Sequence, residues 1–294
     1  YNKDLTWEKT TTYNVGFDYG FLNNRISGAI DYYYRRTDDL INVIPVAVGT
    51  NFRNKVISNV GSLSNQGVEF AINGVLIDKK NFKWDLNFNF TYNQNKIIKL
   101  NTGEDQTPIP TGGISSGTGN TIQRHAVGYA ASSFYVYQAE RAVRDNGEAY
   151  YYIVDRNNDG AITEADQYYY HSPNAPYTMG LQTKFQFYGF DLGISLRANI
   201  GNYVYNDVLA SNLQWIEPDK VYQNQSGGYH GLLRNAFDTY WNVGMKSDAI
   251  YTDAAGTAKF SEWFKTDYFV ENASFLRIDN ITLGYTDRDR KSVV

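Results

Sequence analysis

The chain of 294 residues contains no cysteine, so it holds neither a disulfide framework nor a cysteine-ligated metal site. It has only three histidines, His125, His171 and His230, and they are dispersed without ligand spacing, which argues against a histidine metal centre. It lacks a surplus of positive charge. Lys and Arg number 27 against 31 Asp and Glu, for a net charge of −4, so no basic face is available to a phosphate backbone and no nucleic-acid partner is expected. No run approaches the roughly 20 apolar residues of a membrane helix. No i, i+3, i+4 apolar spacing is sustained, so amphipathic helices are not expected either. The first residue is Tyr1 and no signal peptide precedes it, so the chain is expected to be an internal piece of a longer protein.

Aromatic residues are abundant instead. Tyr 26, Phe 16 and Trp 5 make 16% of the chain. Tyrosine pairs an apolar ring with a wet hydroxyl and suits boundaries that are apolar on one side and polar on the other. Mean hydropathy is −0.49. That excludes a membrane helix but not a membrane β-barrel, because lipid-facing and lumen-facing residues alternate along a barrel strand and cancel in any average.

The alternation is explicit. Tyr13, Val15, Phe17, Tyr19 and Phe21 fall at odd positions. After Asn23 and Asn24 the apolar set moves to Ile26, Ile30, Tyr32 and Tyr34. Phe82, Trp84, Leu86, Phe88, Phe90 and Tyr92 follow at even positions, separated by Lys83, Asp85, Asn87, Asn89 and Thr91. Strands are expected at 13–21, 25–41, 60–77, 82–98, 177–187, 190–200 and 275–286, the last with a bulge near Asn280 where the parity shifts. Tight turns at Asn23-Asn24, at 78–81 and at Tyr188-Gly189 alternate with long polar stretches at 41–59, 99–124 and 201–267. Short turns on one side and long loops on the other characterise outer-membrane barrels, with the turns periplasmic and the loops outside. Segment 99–176 then begins and ends outside and contains an even number of crossings. The stretches 127–138 and 148–154 offer one pair, so the count is seven strands, or nine with them.

Either a protein core or lipid must cover the apolar face. The row 82–92 matches the roughly 9–11 residues that cross a hydrocarbon layer at a tilt. Tyrosines stand at row ends, and the other face carries charge in several strands, which favours lipid on one side and a watery lumen on the other.

Reactive motifs are few. "GISSG" (113–117) fits a nucleophile-elbow pattern, but Ser115 has neither the strand before nor the helix after that the elbow needs, and no enzyme is expected. "DRNNDGAITEAD" (155–166) carries more. Asp155, Asn157, Asp159, the Ala161 carbonyl and Asp166 occupy positions one, three, five, seven and twelve of a calcium loop, with Gly160 at the sharp turn. Asp in place of Glu at position twelve weakens such a site. The alternative is an Asp/Asn/Gly turn without an ion.

The segments "LTWEKTTTYNVGFDYGFLNNRISGAIDYYYRRTDDLI" (5–41), "NVGSLSNQGVEFAINGVLI" (59–77), "FKWDLNFNFTYNQNKIIKL" (82–100), "DRNNDGAIT" with "PNAPYTMGLQTKFQFYGFDLGISLRANIGNYVYN" (155–206) and "FVENASFLRIDNITLGYT" (269–286) resemble, in order, the barrel of SusC-like TonB-dependent transporters of the Bacteroidetes outer membrane. The resemblance implies an all-β fold: about 7–9 strands of a 22-stranded transmembrane antiparallel barrel, with long extracellular loops and a plugged lumen. The plug, the TonB-contacting segment and the closing strand have no counterpart here. The tail "DRDRKSVV" departs from the family, so residues 1–286 are read as a partial barrel domain and 287–294 are unassigned.

The resemblance further implies active import of an oligosaccharide or peptide across the outer membrane of a Gram-negative, Bacteroidetes-type bacterium. A SusD-like surface lipoprotein would serve as lid and TonB-ExbB-ExbD as the energy source. The rivals are a siderophore or cobalamin receptor and a non-transporting β-rich surface adhesin. Lumenal candidates are Asp18, Asp31, Arg35, Glu69, Asp85 and Arg197, and the external aromatics Trp215 and Trp241 are candidates for sugar stacking. Lumen solvation, plug contacts and loop packing are their plainer roles. The substrate itself is not named by the sequence.

Overall fold

The computed structural model describes residues 3–45, 55–101, 106–115, 119–143, 145, 147, 149–212 and 260–286. Four long strands lead: β1 (Lys9–Phe21), β2 (Ile26–Pro45), β3 (Lys55–Lys79) and β4 (Phe82–Leu100). Short strands follow: β5 (Ile109–Gly113), β6 (Thr121–His125), β7 (Ser133–Val136), β8 (Ala139–Val143), β9 (Ala149–Ile153) and β10 (Tyr168–Tyr169). Then come β11 (Tyr177–Phe187), β12 (Phe190–Ile200), β13 (Tyr203–Tyr205), α1 (Asp207–Asn212), α2 (Phe260–Trp263), β14 (Val270–Asn272) and β15 (Phe275–Tyr285).

The long strands form one antiparallel sheet in the order β1-β2-β3-β4-β11-β12-β15. All seven expected strands are present in it. The register makes the two-residue alternation continuous across the sheet. Phe17 faces Ile30, Ile30 faces Phe70, Phe70 faces Phe90, and Phe90 faces Met179. Side chains on the other face run Asp18, Ala29, Ala71, Asn89, Gly180 and Arg197 through the same registers.

No described residue covers the apolar face. Val15 is 73% exposed, Phe17 66% and Leu283 74%. Phe88 and Phe90 are half-buried by their lateral neighbours alone and belong to none of the buried clusters. Polar groups on this face are satisfied internally: the Trp84 indole N–H donates to Thr183 Oγ1 at 2.8 Å, whose hydroxyl donates to the Asp85 carbonyl at 3.2 Å.

The turns follow from their residues. Asn23 and Asn24 have φ of 58° and 61°, and Tyr188 and Gly189 of 46° and 93°, the left-handed conformations that tight hairpins require. A bulge in β3 lies between Val75 and Ile77. Arg25, in the turn beside it, donates to the carbonyls of Val75 (2.7 Å) and Leu76 (2.6 Å) and so satisfies the oxygens the bulge displaces. The bulge expected near Asn280 is found: Asn280 pairs with Ser195 and Ile278 with Leu196, leaving Asp279 as the extra residue.

Two glycines carry rings. Tyr19 lies over Gly28 and its hydroxyl donates to Ala71 O on β3 at 3.1 Å. Tyr33 lies over Gly67 and donates to Asn93 Oδ1 on β4 at 2.7 Å. Each phenol therefore starts on one strand, crosses a second and bonds to a third.

One alternative is decided and one expectation is corrected. Stretches 127–138 and 148–154 do not cross with the long strands. β7 joins a separate sheet in the order β10-β7-β6-β5, and β9 pairs only with β8. At four and five residues they are far short of the roughly 9–11 that a crossing needs, and β4 pairs directly with β11, which leaves no gap to fill. Of the two expected counts, seven and nine, the sheet therefore has seven strands. The loop expected over 41–59 is also shorter, because β2 reaches Pro45 and β3 begins at Lys55.

The buried core lies at one end of the sheet, in a cap built by the segments between β4 and β11 and between β12 and β15. Tyr137, Ile153, Leu209, Trp263, Phe264 and Phe269 form its largest cluster.

With lipid as the expected cover of the apolar face, the two faces should answer differently to charge. In the full-length protein folded into bilayers, Phe88→Arg is expected to cost about 2–4 kcal/mol, whereas Asn89→Arg on the polar face costs little. Folding yield in bilayers measures the difference, and equal yields would refute the face assignment.

Candidate functional site

The six lumenal candidates all fall on the face opposite the apolar band, but they spread over the sheet and do not converge on one pocket. Asp31 stands directly opposite Glu69, a like-charge pair. Its carboxylate leans over Gly16 on the far side, away from Glu69, where any larger side chain would collide with it. Arg35 is in register with Thr12 and Asn65. Asp85 pairs with Lys83 at 3.5 Å. Arg197 stands opposite Arg277, and the bulged Asp279 forms ion pairs with both, at 3.4 and 3.5 Å. The bulge thus turns a carboxylate between two cations that would otherwise repel.

Trp215, Trp241, His230 and residues 287–294 lie outside the described residues. His125 is half-buried, its Nδ1 accepts the Ser132 N–H at 3.1 Å, and burial lowers its pKa. His171 stacks on Tyr203 with centroids 3.7 Å apart. Ser115 pairs with Asp207, N–H to Oδ1 at 3.0 Å and hydroxyl to Oδ2 at 2.5 Å, and this contact anchors the loop to the start of α1.

The 155–166 loop connects β9 to β10 in the cap. Its polar side chains tie down its own backbone. Asp155 Oδ2 accepts from Gly160 N (2.8 Å), Asn157 Oδ1 from Asp159 N (3.0 Å) and Asp159 Oδ1 from Ala161 N (2.8 Å). Gly160, with φ of 83°, makes the sharp turn. Asp166 is fully buried and accepts from the N–H groups of Thr163 (2.7 Å), Arg156 (2.9 Å) and Asn157 (3.4 Å). Ile162 packs against the large buried cluster and fixes the loop to the cap. Asp155 Oδ1 is buried and has no hydrogen-bond partner. Among the described residues no three His, Cys, Asp or Glu side chains gather as a metal site. The arrangement is a complete turn in its own right, with one carboxylate oxygen left over.

Asp267 connects this loop to the rest of the cap. It accepts from Ala139 N (2.8 Å) and from the Tyr168 hydroxyl (2.7 Å), and the Arg156 guanidinium lies over the Tyr168 ring at 4.4 Å. Burial raises the pKa of Asp267 despite the Tyr168 bond, and burial together with Asp267 raises that of Tyr168.

One cluster had no sequence signal beyond the run Tyr168-Tyr169-Tyr170. Tyr129 stacks on Tyr169 at 3.7 Å, Tyr135 tilts onto Tyr169 at 4.8 Å, and Arg124 lies over the Tyr135 ring at 4.0 Å. Tyr129 remains 44% exposed. The stack joins residues far apart in sequence, so no local pattern announces it.

Burial works against the charged form of Asp166, but the N–H groups of Thr163, Asn157 and Arg156 outweigh it and hold its pKa below the usual carboxylate range. A depressed folded value stabilises the loop fully above the unfolded carboxylate pKa, and this contribution is lost as pH falls through the lower folded value. Protease resistance of the loop is therefore expected to hold down to about pH 4 and to fall below it. Asp166→Ala, which removes charge-assisted bonds of about 1.5–3 kcal/mol each, is expected to open the loop already at pH 7. Cleavage rates between 155 and 166 in the parent and the variant measure both.

Comparison with known proteins places this geometry. Residues 1–202 match the family model described as TonB dependent receptor-like, beta-barrel. Over 289 residues the chain is 44% identical to the TonB-dependent receptor SusC of Bacteroides thetaiotaomicron, covering 97% of this chain and 27% of that relative. It is 29% identical over 302 residues to the TonB-dependent receptor P3 of Formosa agariphila, covering 97% and 28%. The structure of the RagAB peptide transporter superposes with a TM-score of 0.66 at 25% identity, over 97% of this chain and 29% of that one. The chain thus spans little more than a quarter of the length of these relatives.

Proposed function

Because the chain belongs to the TonB-dependent receptor-like β-barrel family, we propose that residues 1–286 are a section of barrel wall and cap in a transporter that imports a nutrient actively across the outer membrane of a Bacteroidetes-type bacterium. The observation that supports this reading is the sheet itself, with an uncovered apolar face on one side and a charged face on the other. Such a wall suits a watery passage through lipid. The polar face would line that passage, and the cap would stand outside the cell, where β4 ends and β11 begins. TonB-ExbB-ExbD would supply energy through the part of the protein that precedes this chain, and a SusD-like lipoprotein would close over the cap.

The cargo is an oligosaccharide or a peptide. The rigid tyrosine stack of Tyr129 and Tyr169, with Arg124 beside it, favours a sugar, since flat rings take up the apolar faces of pyranoses. The similarity to the RagAB peptide transporter favours a peptide. Deletion of the full-length gene is expected to abolish uptake of labelled oligosaccharide, and a proton uncoupler to do the same in the parent strain. Loss of peptide uptake alone would select the second reading. Loss of iron-chelate or cobalamin uptake would replace both, and unchanged uptake of every probe would leave a surface adhesin.

Asp155, Asn157, Asp159, the Ala161 carbonyl and Asp166 would hold calcium through oxygens at about 2.3–2.6 Å. The buried, unpartnered Asp155 Oδ1 favours this, while the Asn157 amide, which donates to Asp159 Oδ2 at 2.8 Å, would have to turn away. Calcium titration of the full-length protein is expected to raise the resistance of the loop to proteolysis, and Asp159→Ala to abolish the effect. No calcium-dependent change would leave the turn alone.

A further inference from the structure

Lys79 stands on the wrong face for a charge. It closes the β3–β4 hairpin opposite Phe82. Phe82 is in register with Phe187, Phe187 with Phe190, and Phe190 with Tyr285. Cross-strand partners share a face. Lys79 therefore begins a row of four rings on the apolar side, the last row at the end of the sheet remote from the cap. The rings touch in pairs, Phe82 to Phe187 at 6.3 Å and Phe190 to Tyr285 at 4.7 Å, and Phe187, Phe190 and Tyr285 are each more than half exposed.

The anions at this end are sorted to the other face. Asp78 is in register with Lys83, and Asp191 with Gln186. Lys83 is neutralised there by Asp85 at 3.5 Å. Lys79 and Lys80, both exposed, make no ion pair among the described residues. Charge is thus segregated across the thickness of the sheet, with acids inward and an unpaired ammonium outward among aromatic rings.

We propose that Lys79, with Lys80 at the hairpin tip, docks the phosphate of an anionic phospholipid in the periplasmic leaflet. The proposal rests on the reading of the apolar face as lipid-facing. A lysine stem lies along apolar rings and delivers its ammonium to the water boundary, which is where lipid phosphates sit. Aromatic rings settle at that same level. The phosphate would be held by charge, and the acyl chain would descend over the next row, where Trp84 stands between Ile77 and Phe185. A headgroup with net negative charge is preferred over a zwitterionic one, whose own ammonium competes with the lysines. Each lysine near an anionic surface is expected to contribute roughly a five-fold preference.

Trp84 is a built-in reporter. Full-length protein would be placed in phosphatidylethanolamine vesicles containing a minor fraction of phosphatidylglycerol, with bromine near the headgroup end of the acyl chain of one lipid or the other. The fluorescence difference between the parent and Trp84→Phe isolates this indole. At equal mole fraction, brominated phosphatidylglycerol is expected to quench Trp84 several-fold more than brominated phosphatidylethanolamine. The double variant Lys79→Ala, Lys80→Ala is expected to erase that preference, and Lys79→Arg, Lys80→Arg to keep it. Equal quenching by the two lipids in the parent, or a preference that survives the alanine variant, would overturn the phosphate site while leaving the barrel standing. Absence of quenching by both lipids would overturn the lipid-facing reading along with it.

Discussion

Every peptide group along the long strands must find its hydrogen-bond partner sideways, within the sheet, because the medium expected at the apolar face offers none. The rest of the molecule is arranged around that demand. Up to Tyr92, β4 is bonded on both edges, by β3 and β11. Above that point β11 has ended and the β4 edge would be bare. Chain from the cap takes its place: Asn93 N donates to Pro176 O, Ile97 N to Tyr129 O, and Gly128 N to Ile97 O. The segment that carries Tyr129 is therefore fixed by the needs of a strand edge, and the tyrosine stack is held in turn. Arg25 answers the same demand at the opposite end, where a bulge would leave carbonyls unpaired.

The polar face obeys a softer rule. Water can satisfy its side chains, so charges need not pair, and Asp31 and Glu69 face each other across β2 and β3. Where like charges do crowd, the backbone adjusts. The extra residue at Asp279 supplies a carboxylate to Arg197 and Arg277 and lets the apolar alternation resume on the correct face. One irregularity serves both faces of the strand.

The long strands were legible because period-two alternation is a local property, visible wherever a strand has one wet face. Even the bulge showed itself, as a break in parity near Asn280. The cap was not legible in the same way. Its strands, such as β7 and β9, are four or five residues long, too short for a period to declare itself, which is why the sequence leaves the count open between seven and nine. Their partners are distant: Tyr137 bonds to Lys265, and Ala139 to Asp267. The 155–166 loop was visible as a pattern of oxygen donors. The pattern alone could not reveal that most of those oxygens are engaged by the loop's own N–H groups, or that Asp166 is fully buried. The lumenal candidates were placed on the correct face by parity, but parity says nothing about convergence, and they do not converge.

The two phenols that cross a glycine to reach a third strand have a mechanical meaning. Backbone ladders resist the separation of neighbouring strands, but sliding along the strand axis exchanges one ladder for another of equal length. A tyrosine hydroxyl anchored two strands away is sensitive to that sliding. Tyr19 reaches Ala71 and Tyr33 reaches Asn93, one on each face of the sheet. Together they stitch β1 through β4 against shear from both sides, which is the deformation a wall feels when something inside it is pulled along its axis.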